Sequence, residues 1–181
     1  MRIVGGKYRS RNIEFPTNQE ITRPTKDVVR EGIFSALYFD IANAVVLDLF
    51  AGSGSMGLES LSRGAKYVYF VDKDKNAINI INKNIRTLNE SSNSEVLQYD
   101  YKDALNCFIE RKIRFDIVIL DPPYKLDVIE EIINILINNE LLKEHGIIVI
   151  ETDYTLALED DRFVKNKNYK YGRTLVTIRR K

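Results

Sequence analysis

Val45-Val46-Leu47-Asp48-Leu49-Phe50-Ala51-Gly52-Ser53-Gly54-Ser55-Met56-Gly57 is the stretch on which the fold turns. A short apolar run with an acid near its end leads into a G-x-G-x-x-G turn, and the turn leads into a helical pattern. This order leaves free backbone N–H groups and a close backbone approach at the carboxyl edge of a sheet, where open α/β sheets bind ligands. The glycines alone do not name the ligand, because dinucleotide sites share them.

Outward from that turn, short β-branched runs alternate with amphipathic stretches, the pattern of a parallel sheet with crossover helices. Strands are expected at Val45–Leu49, Tyr67–Val71, Glu95–Tyr99, Phe115–Leu120 and Gly146–Glu151. A helix capped by Asp74 should reach about Asn89, with Ile78, Ile81, Ile85 and Leu88 on one face. Another should cover Asp127 to Asn138, with Ile129, Ile132 and Ile133 against the sheet. Two runs around Tyr171-Gly172-Arg173, Phe163–Asn168 and Thr174–Arg179, predict an antiparallel hairpin at the sheet edge. Ahead of the sheet, Arg2–Val4 and Asn12–Phe15 read as a small hairpin, followed by a helix from about Lys26 to Tyr38 that Thr25 would cap. The expected fold is therefore α/β, a Rossmann-like and mostly parallel seven-stranded sheet with an antiparallel edge. Residues 1–40 form an N-terminal β-hairpin and helix extension, and residues 41–181 form the main domain.

The chain has 181 residues, 44% hydrophobic and 29% charged, which suits one ordered globule and leaves no room for a large second domain. Its apolar runs are too short to cross a bilayer, and the first fifteen residues carry charge where a signal peptide needs an apolar stretch. No membrane association and a cytoplasmic location are expected. Cys107 is the only cysteine, so no internal disulfide or cysteine zinc cluster can form; on a helical segment, it reads as a small core residue. His145, the only histidine, reads as a turn residue, and no metal is expected.

The net charge of +1 conceals a strong asymmetry. Residues 1–12 carry +4 and residues 162–181 carry +8, with no acid in either segment, so residues 13–161 carry −11. Basic ends interleaved with Tyr8, Phe163, Tyr169 and Tyr171 are what a phosphate-tracking surface needs, although solvated surface charge explains either end taken alone.

Four acids carry the chemical reading. Asp48 precedes the glycines and could face a ligand's ammonium, which favours S-adenosylmethionine over a nicotinamide dinucleotide, whose pyrophosphate needs no acid there. Asp72, at the end of the second strand, is placed to accept ribose hydroxyls, and Asp100 with Tyr101, after the third, to reach adenine. Phe50, Ala51, Gly52, Ser53 and Gly54 are the turn residues assigned to the cofactor. The fourth acid opens Asp121-Pro122-Pro123-Tyr124, directly after Phe115–Leu120. Two prolines fix φ and make the tetrapeptide rigid. An exocyclic base amine is a poor nucleophile unless held in line with a sulfonium methyl. The Asp121 carboxylate and the Pro122 carbonyl could each accept one amino hydrogen, and Tyr124 would stack on an unstacked base. Carbon methylation of cytosine would need a thiolate beside the cofactor, and Cys107 lies in the wrong segment. Glu151, at the end of the fifth strand, could line the pocket or cap a loop and is not assigned.

With Asp48-Leu-Phe-Ala-Gly-Ser-Gly-Ser-Met-Gly-Leu-Glu59 and Asp121-Pro-Pro-Tyr124 in place, the chain resembles the class I S-adenosylmethionine-dependent amino-methyltransferases. More narrowly, it is similar to the RsmD family, bacterial 16S ribosomal RNA guanine-N2 methyltransferases. The similarity extends over Arg2-Ile-Val-Gly-Gly-Lys-Tyr-Arg9, Thr22-Arg23-Pro24-Thr25, Val29-Arg30-Glu31 and Leu58-Glu59-Ser60-Leu61-Ser62-Arg63-Gly64-Ala65. The resemblance implies that the substrate is one guanine of 16S ribosomal RNA, with Arg9, Arg11, Arg23 and Arg30 in the segment that meets RNA; a monomer acting on a small-subunit particle is expected. Read from the residues alone, adenine N6 or cytosine N4 methylation, a nicotinamide-dependent oxidoreductase and a catalytically silent RNA-binding module stay open.

Overall fold

The computed structural model describes residues 1–15, 27–123, 128–156 and 160–181. Among these, seven strands form one sheet: β1 (Val45–Asp48), β2 (Tyr67–Asp72), β3 (Ser94–Gln98), β4 (Phe115–Leu120), β5 (Leu142–Thr152), β6 (Lys165–Tyr171) and β7 (Thr174–Arg180). Their order is β3-β2-β1-β4-β5-β7-β6. The first five are parallel, and β7 lies antiparallel between β5 and β6. The helices are α1 (Asp27–Ala36), α2 (Ser55–Ser62), α3 (Lys75–Leu88), α4 (Tyr101–Glu110) and α5 (Ile129–Asn138). The strand order reverses between β1 and β4, which opens a crevice at the carboxyl ends of those two strands.

Alternation along the strands decides the layers. Val46, Ile117, Ile119, Ile147, Val149, Val176 and Ile178 share one apolar cluster with Val29, Ile33 and Phe34 of α1 and with Ile81 and Ile85 of α3. Leu47, Val118, Leu120, Ile148 and Ile150 face the other way, against α4 and α5. Each strand thus separates two cores, as expected of a sheet covered on both faces. The N-terminal residues Ile3 and Ile13 belong to the first cluster.

Asp74 caps α3 as expected, accepting from the Asn76 N–H at 2.7 Å, and Asn89 ends that helix in the left-handed region at φ +56°. Two expectations shift. The fifth strand begins at Leu142 rather than Gly146, with a register irregularity opposite Phe115 to Ile117; His145 lies inside that irregularity at φ +63°, exposed. The N-terminal hairpin reduces to one bridge, Arg2 with Asn12, around a 3-10 turn at Gly6–Tyr8. Backbone bonds still cross the hairpin, from the Ile3 N–H to the Arg11 carbonyl at 3.0 Å and from the Ile13 N–H to the Met1 carbonyl at 2.9 Å, while the Tyr8 N–H and the Gly5 carbonyl bond to Ser62 of α2 and the Tyr8 hydroxyl to Glu90. No helix among the described residues is long and apolar enough to cross a membrane.

All eight residues of α2 are buried. Four of them are serine or glutamate, so their polar groups need partners. The N-terminal segment supplies most of these. Glu59, fully buried, accepts from the Val4 N–H at 2.8 Å and from Arg63 Nε at 2.8 Å. Ser62 Oγ donates to the Gly5 carbonyl at 2.5 Å and accepts from the Tyr8 N–H at 2.9 Å. The helix that opens at the glycine turn is therefore clamped between the sheet and residues 1–15.

Candidate active site

Each glycine of the turn answers a different steric demand. Gly52 and Gly54 hold φ of +54° and +77°, which side chains rarely adopt. A Cβ on Gly52 would have no neighbour within 4 Å, so the turn leaves open space there. At Gly57 the demand is closeness: a Cβ would fall onto the Phe70 ring, 2.7 Å from its Cζ. Met56, beside it, is an apolar residue of the same core.

The turn is held by acids from the strand ends. Asp48 Oδ2 accepts from the Gly57 N–H at 2.9 Å, within the first turn of α2. Gly54, at the N-cap, has no side chain to do this, so β1 supplies the capping carboxylate. Asp72 takes the Gly52 N–H on Oδ2 and the Asp74 N–H on Oδ1, both at 2.8 Å. A carboxylate has about four lone-pair sites, so Asp72 can shape the loop and still accept a hydroxyl. Asp100 caps α4 through the Lys102 N–H at 3.0 Å. Tyr101 donates to Glu131 at 2.9 Å, and its ring lies 5.9 Å from that of Phe50. Ser53 and Ala51 are buried in the turn.

The registers bring a third set of acids together. Asp48 pairs with Ile119 on β4, and Leu120 with Ile150 on β5. With a side-chain period of two, Asp121 follows Ile119 onto the face of Asp48, and Glu151 follows Val149 onto that same face. Asp48, Asp121 and Glu151 thus form a row across β1, β4 and β5, where the apolar row of the first core ends at the sheet's carboxyl edge. Asp48 is 2% exposed and Glu151 8%.

Burial pushes the Asp48 carboxyl up to about 7, against the opposing pull of the Gly57 N–H and with help from the charge of Asp72. Burial also raises Asp121 well above the ordinary carboxylate range, and the charges of Glu151 and Asp48 add to it. Such a row disfavours an anion and favours a cation. The donor set therefore fits an ammonium and sulfonium ligand and opposes a pyrophosphate. Among the described residues, no group of three His, Cys, Asp or Glu side chains is arranged to hold a metal ion.

Pro122 is buried and Pro123 exposed directly after Asp121. Tyr124 and Arg23 lie outside the described residues, as does the expected cap Thr25. Of the basic residues assigned to RNA, Arg9 and Arg11 are exposed, and Arg11 stacks over the Tyr8 ring at 5.5 Å.

Arg30 requires a correction. It is 0% exposed; its guanidinium donates to the Arg2 carbonyl at 2.6 Å and to Asp27 at 2.8 Å. On the inward face of α1 it ties the N-terminal segment down and cannot present its charge to RNA. The family resemblance placed Arg30 in the segment that meets RNA, and a resemblance carries no information on which face of α1 the side chain takes. The basic carboxyl terminus also divides. Arg162 and Arg179 bind Asp160 at 2.7 and 2.6 Å, and Arg180 binds Asp40 at 2.8 Å. Lys165, Lys167, Lys170 and Arg173 are exposed. Glu151 is the site residue that sequence left unassigned; its one signal was its position at the end of a central strand, two residues beyond Val149.

The sequence profile of the family described as Conserved hypothetical protein 95 matches residues 1–180. Ribosomal RNA small subunit methyltransferase D of Haemophilus influenzae is 40% identical over 154 residues, 84% of this chain and 79% of that one. The chain belongs to the RsmD family. Among solved structures, yhhF of Escherichia coli superposes with a TM-score of 0.86 at 32% identity, covering 100% of this chain and 97% of that one. The Thermus thermophilus 16S rRNA N2 G1207 methyltransferase, solved with AdoMet and guanosine, shares the fold at a TM-score of 0.71 and 22% identity, covering 91% of this chain and 45% of that one. A class I, Rossmann-like methyltransferase fold is thereby established for this RsmD-family chain.

Proposed function

We propose that this RsmD-family chain transfers a methyl group from S-adenosylmethionine to the exocyclic N2 of a guanine in small-subunit ribosomal RNA. The observation that carries the reading is the position of Asp121, which leaves β4 beside Asp48 and the glycine turn of β1. When bound, S-adenosylmethionine supplies an electrophilic methyl on a cationic sulfur. Asp48 and the open side of Gly52 form the cradle for its methionine end, and Asp72 and Asp100 serve the ribose and adenine.

Asp121 and the Pro122 carbonyl accept the two N2 hydrogens, which turns the nitrogen lone pair towards the methyl carbon. As the new N–C bond forms, the methyl's bond to sulfur breaks and sulfur keeps the electron pair. Asp121 takes the proton that N2 releases, a role its raised affinity for protons suits. The deciding experiment incubates the protein with labelled S-adenosylmethionine and small-subunit particles from a strain lacking the gene, then digests the RNA to nucleosides. N2-methylguanosine is the expected product; N6-methyladenosine or N4-methylcytidine overturns the guanine assignment.

The raised Asp48 makes donor binding depend on pH. An acid whose folded pKa lies above its unfolded value stabilises the fold most fully below the unfolded value, near 4, and loses that contribution as pH rises through about 7. A bound ammonium reverses this preference, because it needs Asp48 ionised. Affinity for S-adenosylhomocysteine should therefore be highest above pH 7 and fall by up to about tenfold per unit below it. Calorimetry from pH 5.5 to 8.5 measures this. A flat profile rules out Asp48 as the ammonium partner, and Asp48→Asn should flatten it.

The N-terminal extension, residues 1–40, is the part we assign to RNA, through Arg9, Arg11 and Arg23. Arg9 lines a cleft with Arg2, Ser10, Asp27 and Glu31. Two charge reversals, Arg9→Glu with Arg11→Glu, should raise KM for the particle by about tenfold or more and leave S-adenosylhomocysteine affinity within about twofold. An unchanged KM removes these two residues from the RNA surface.

A further inference from the structure

We propose that Glu151 reads the N1–H of the target guanine and thereby sets which base the site accepts. The inference rests on the functional reading above and assigns a residue which that chemistry does not use. Asp-Pro-Pro-Tyr grips an amine whichever base carries it, so the discriminating contact must lie outside the tetrapeptide. Guanine is distinguished from the other amino bases by what stands next to its amine. There N1 carries a hydrogen, whereas adenine N1 and cytosine N3, next to their own amines, carry lone pairs.

A carboxylate beside Asp121 tells these apart. It accepts N1–H from guanine, and it repels the lone pair of adenine or cytosine. Glu151 occupies that place: the pairing of Leu120 with Ile150 puts Glu151 opposite Asp121 on the neighbouring parallel strand. Adjacent strands lie about 4.8 Å apart, so two acids facing the same way can each accept from one of two adjacent nitrogens. The influence of Glu151 on the Asp121 carboxyl reflects that closeness. On its far side Glu151 pairs with Val176 of β7, an apolar wall that bounds the row. At 8% exposure the contact is made away from bulk water, where a charged acceptor meeting the wrong edge costs most.

The test uses small-subunit particles assembled on 16S ribosomal RNA that carries either guanine or 2-aminopurine at the mapped target. 2-Aminopurine keeps the reactive amine and lacks the N1 hydrogen. Wild-type protein should prefer guanine by about 100-fold or more in kcat/KM. Glu151→Gln, whose amide can donate to a bare N1, should lose about 100-fold on guanine and less than about threefold on 2-aminopurine, so that the preference collapses. Glu151→Asp keeps the carboxylate and should keep the preference at reduced rate, which covers the case in which the glutamine variant folds poorly.

Affinity for S-adenosylhomocysteine should stay within about threefold in both variants. Equal losses on both bases make Glu151 a structural residue and overturn the proposal. Weakened S-adenosylhomocysteine binding with an intact base preference assigns Glu151 to the donor instead, and absence of discrimination by the wild type also overturns the proposal. If the wild type forms no N2-methylguanosine on guanine particles, the functional reading itself fails and takes this inference with it, a result that the wild-type arm alone identifies.

Discussion

Asp121→Asn is expected to slow methyl transfer by about 10³, measured as the single-turnover rate on small-subunit particles. The amide keeps the size and one acceptor oxygen of the carboxylate, so the turn after β4 should persist. It loses the charge that draws density onto the amine and the group that takes its proton. Donor binding should change little, because Asp48, which caps α2 through the Gly57 N–H, is untouched. It should weaken slightly if it changes at all, since Asp121 adds to the negative row that favours a cation. Calorimetry with S-adenosylhomocysteine separates the two effects. A variant within tenfold of the wild-type rate would exclude Asp121 from the chemistry, and a large loss of donor affinity would make it part of the cradle.

Gly57→Ala should be a strongly destabilising single-methyl change. Gly57 does not hold a positive φ, so backbone strain plays no part. The added Cβ would fall onto the aromatic ring of Phe70, 0% exposed on β2, with Cζ at 2.7 Å and Cδ1 at 2.9 Å. A buried ring cannot swing aside as the tip of a surface chain can, so either β2 or α2 must move. Overpacking of this kind costs about 1–3 kcal/mol, which is large beside typical domain stabilities.

The displaced helix would also draw the Gly57 N–H away from Asp48, so affinity for S-adenosylhomocysteine should fall with Tm. The compensating change is Phe70→Leu, which removes ring volume where the methyl arrives. Gly57→Ala with Phe70→Leu should recover more than half of the lost Tm, measured by calorimetry or circular dichroism. Failure of the pair to recover any stability would mean that the contact between α2 and β2 is not what requires glycine at position 57.

Sequence carried the architecture well because the deciding signals are local. Period-two and period-3.6 patterns placed β1, β2, β4 and the helix after Asp74 to within a residue or two, and the Tyr171-Gly172-Arg173 corner gave the antiparallel edge. The site was legible where one segment holds it, as in the glycine turn and the acid that follows β4. Charge was the poorest guide, because a basic side chain reads the same whether it faces solvent or a buried acid. Arg179 and Arg180 both counted towards a basic RNA surface, and each is paired with an acid of the same chain.

The strands, the glycine turn and the identities of the reactive groups were thus written in the chain's own order, since each depends on neighbours a few residues away. Which of those groups meet was settled only by strand register. Asp48, Asp121 and Glu151 are separated by 73 and 30 positions in the sequence. They become one row because β1, β4 and β5 lie side by side with Asp48 opposite Ile119 and Leu120 opposite Ile150. Hydrogen-bond ladders fix that alignment, and no local pattern encodes it.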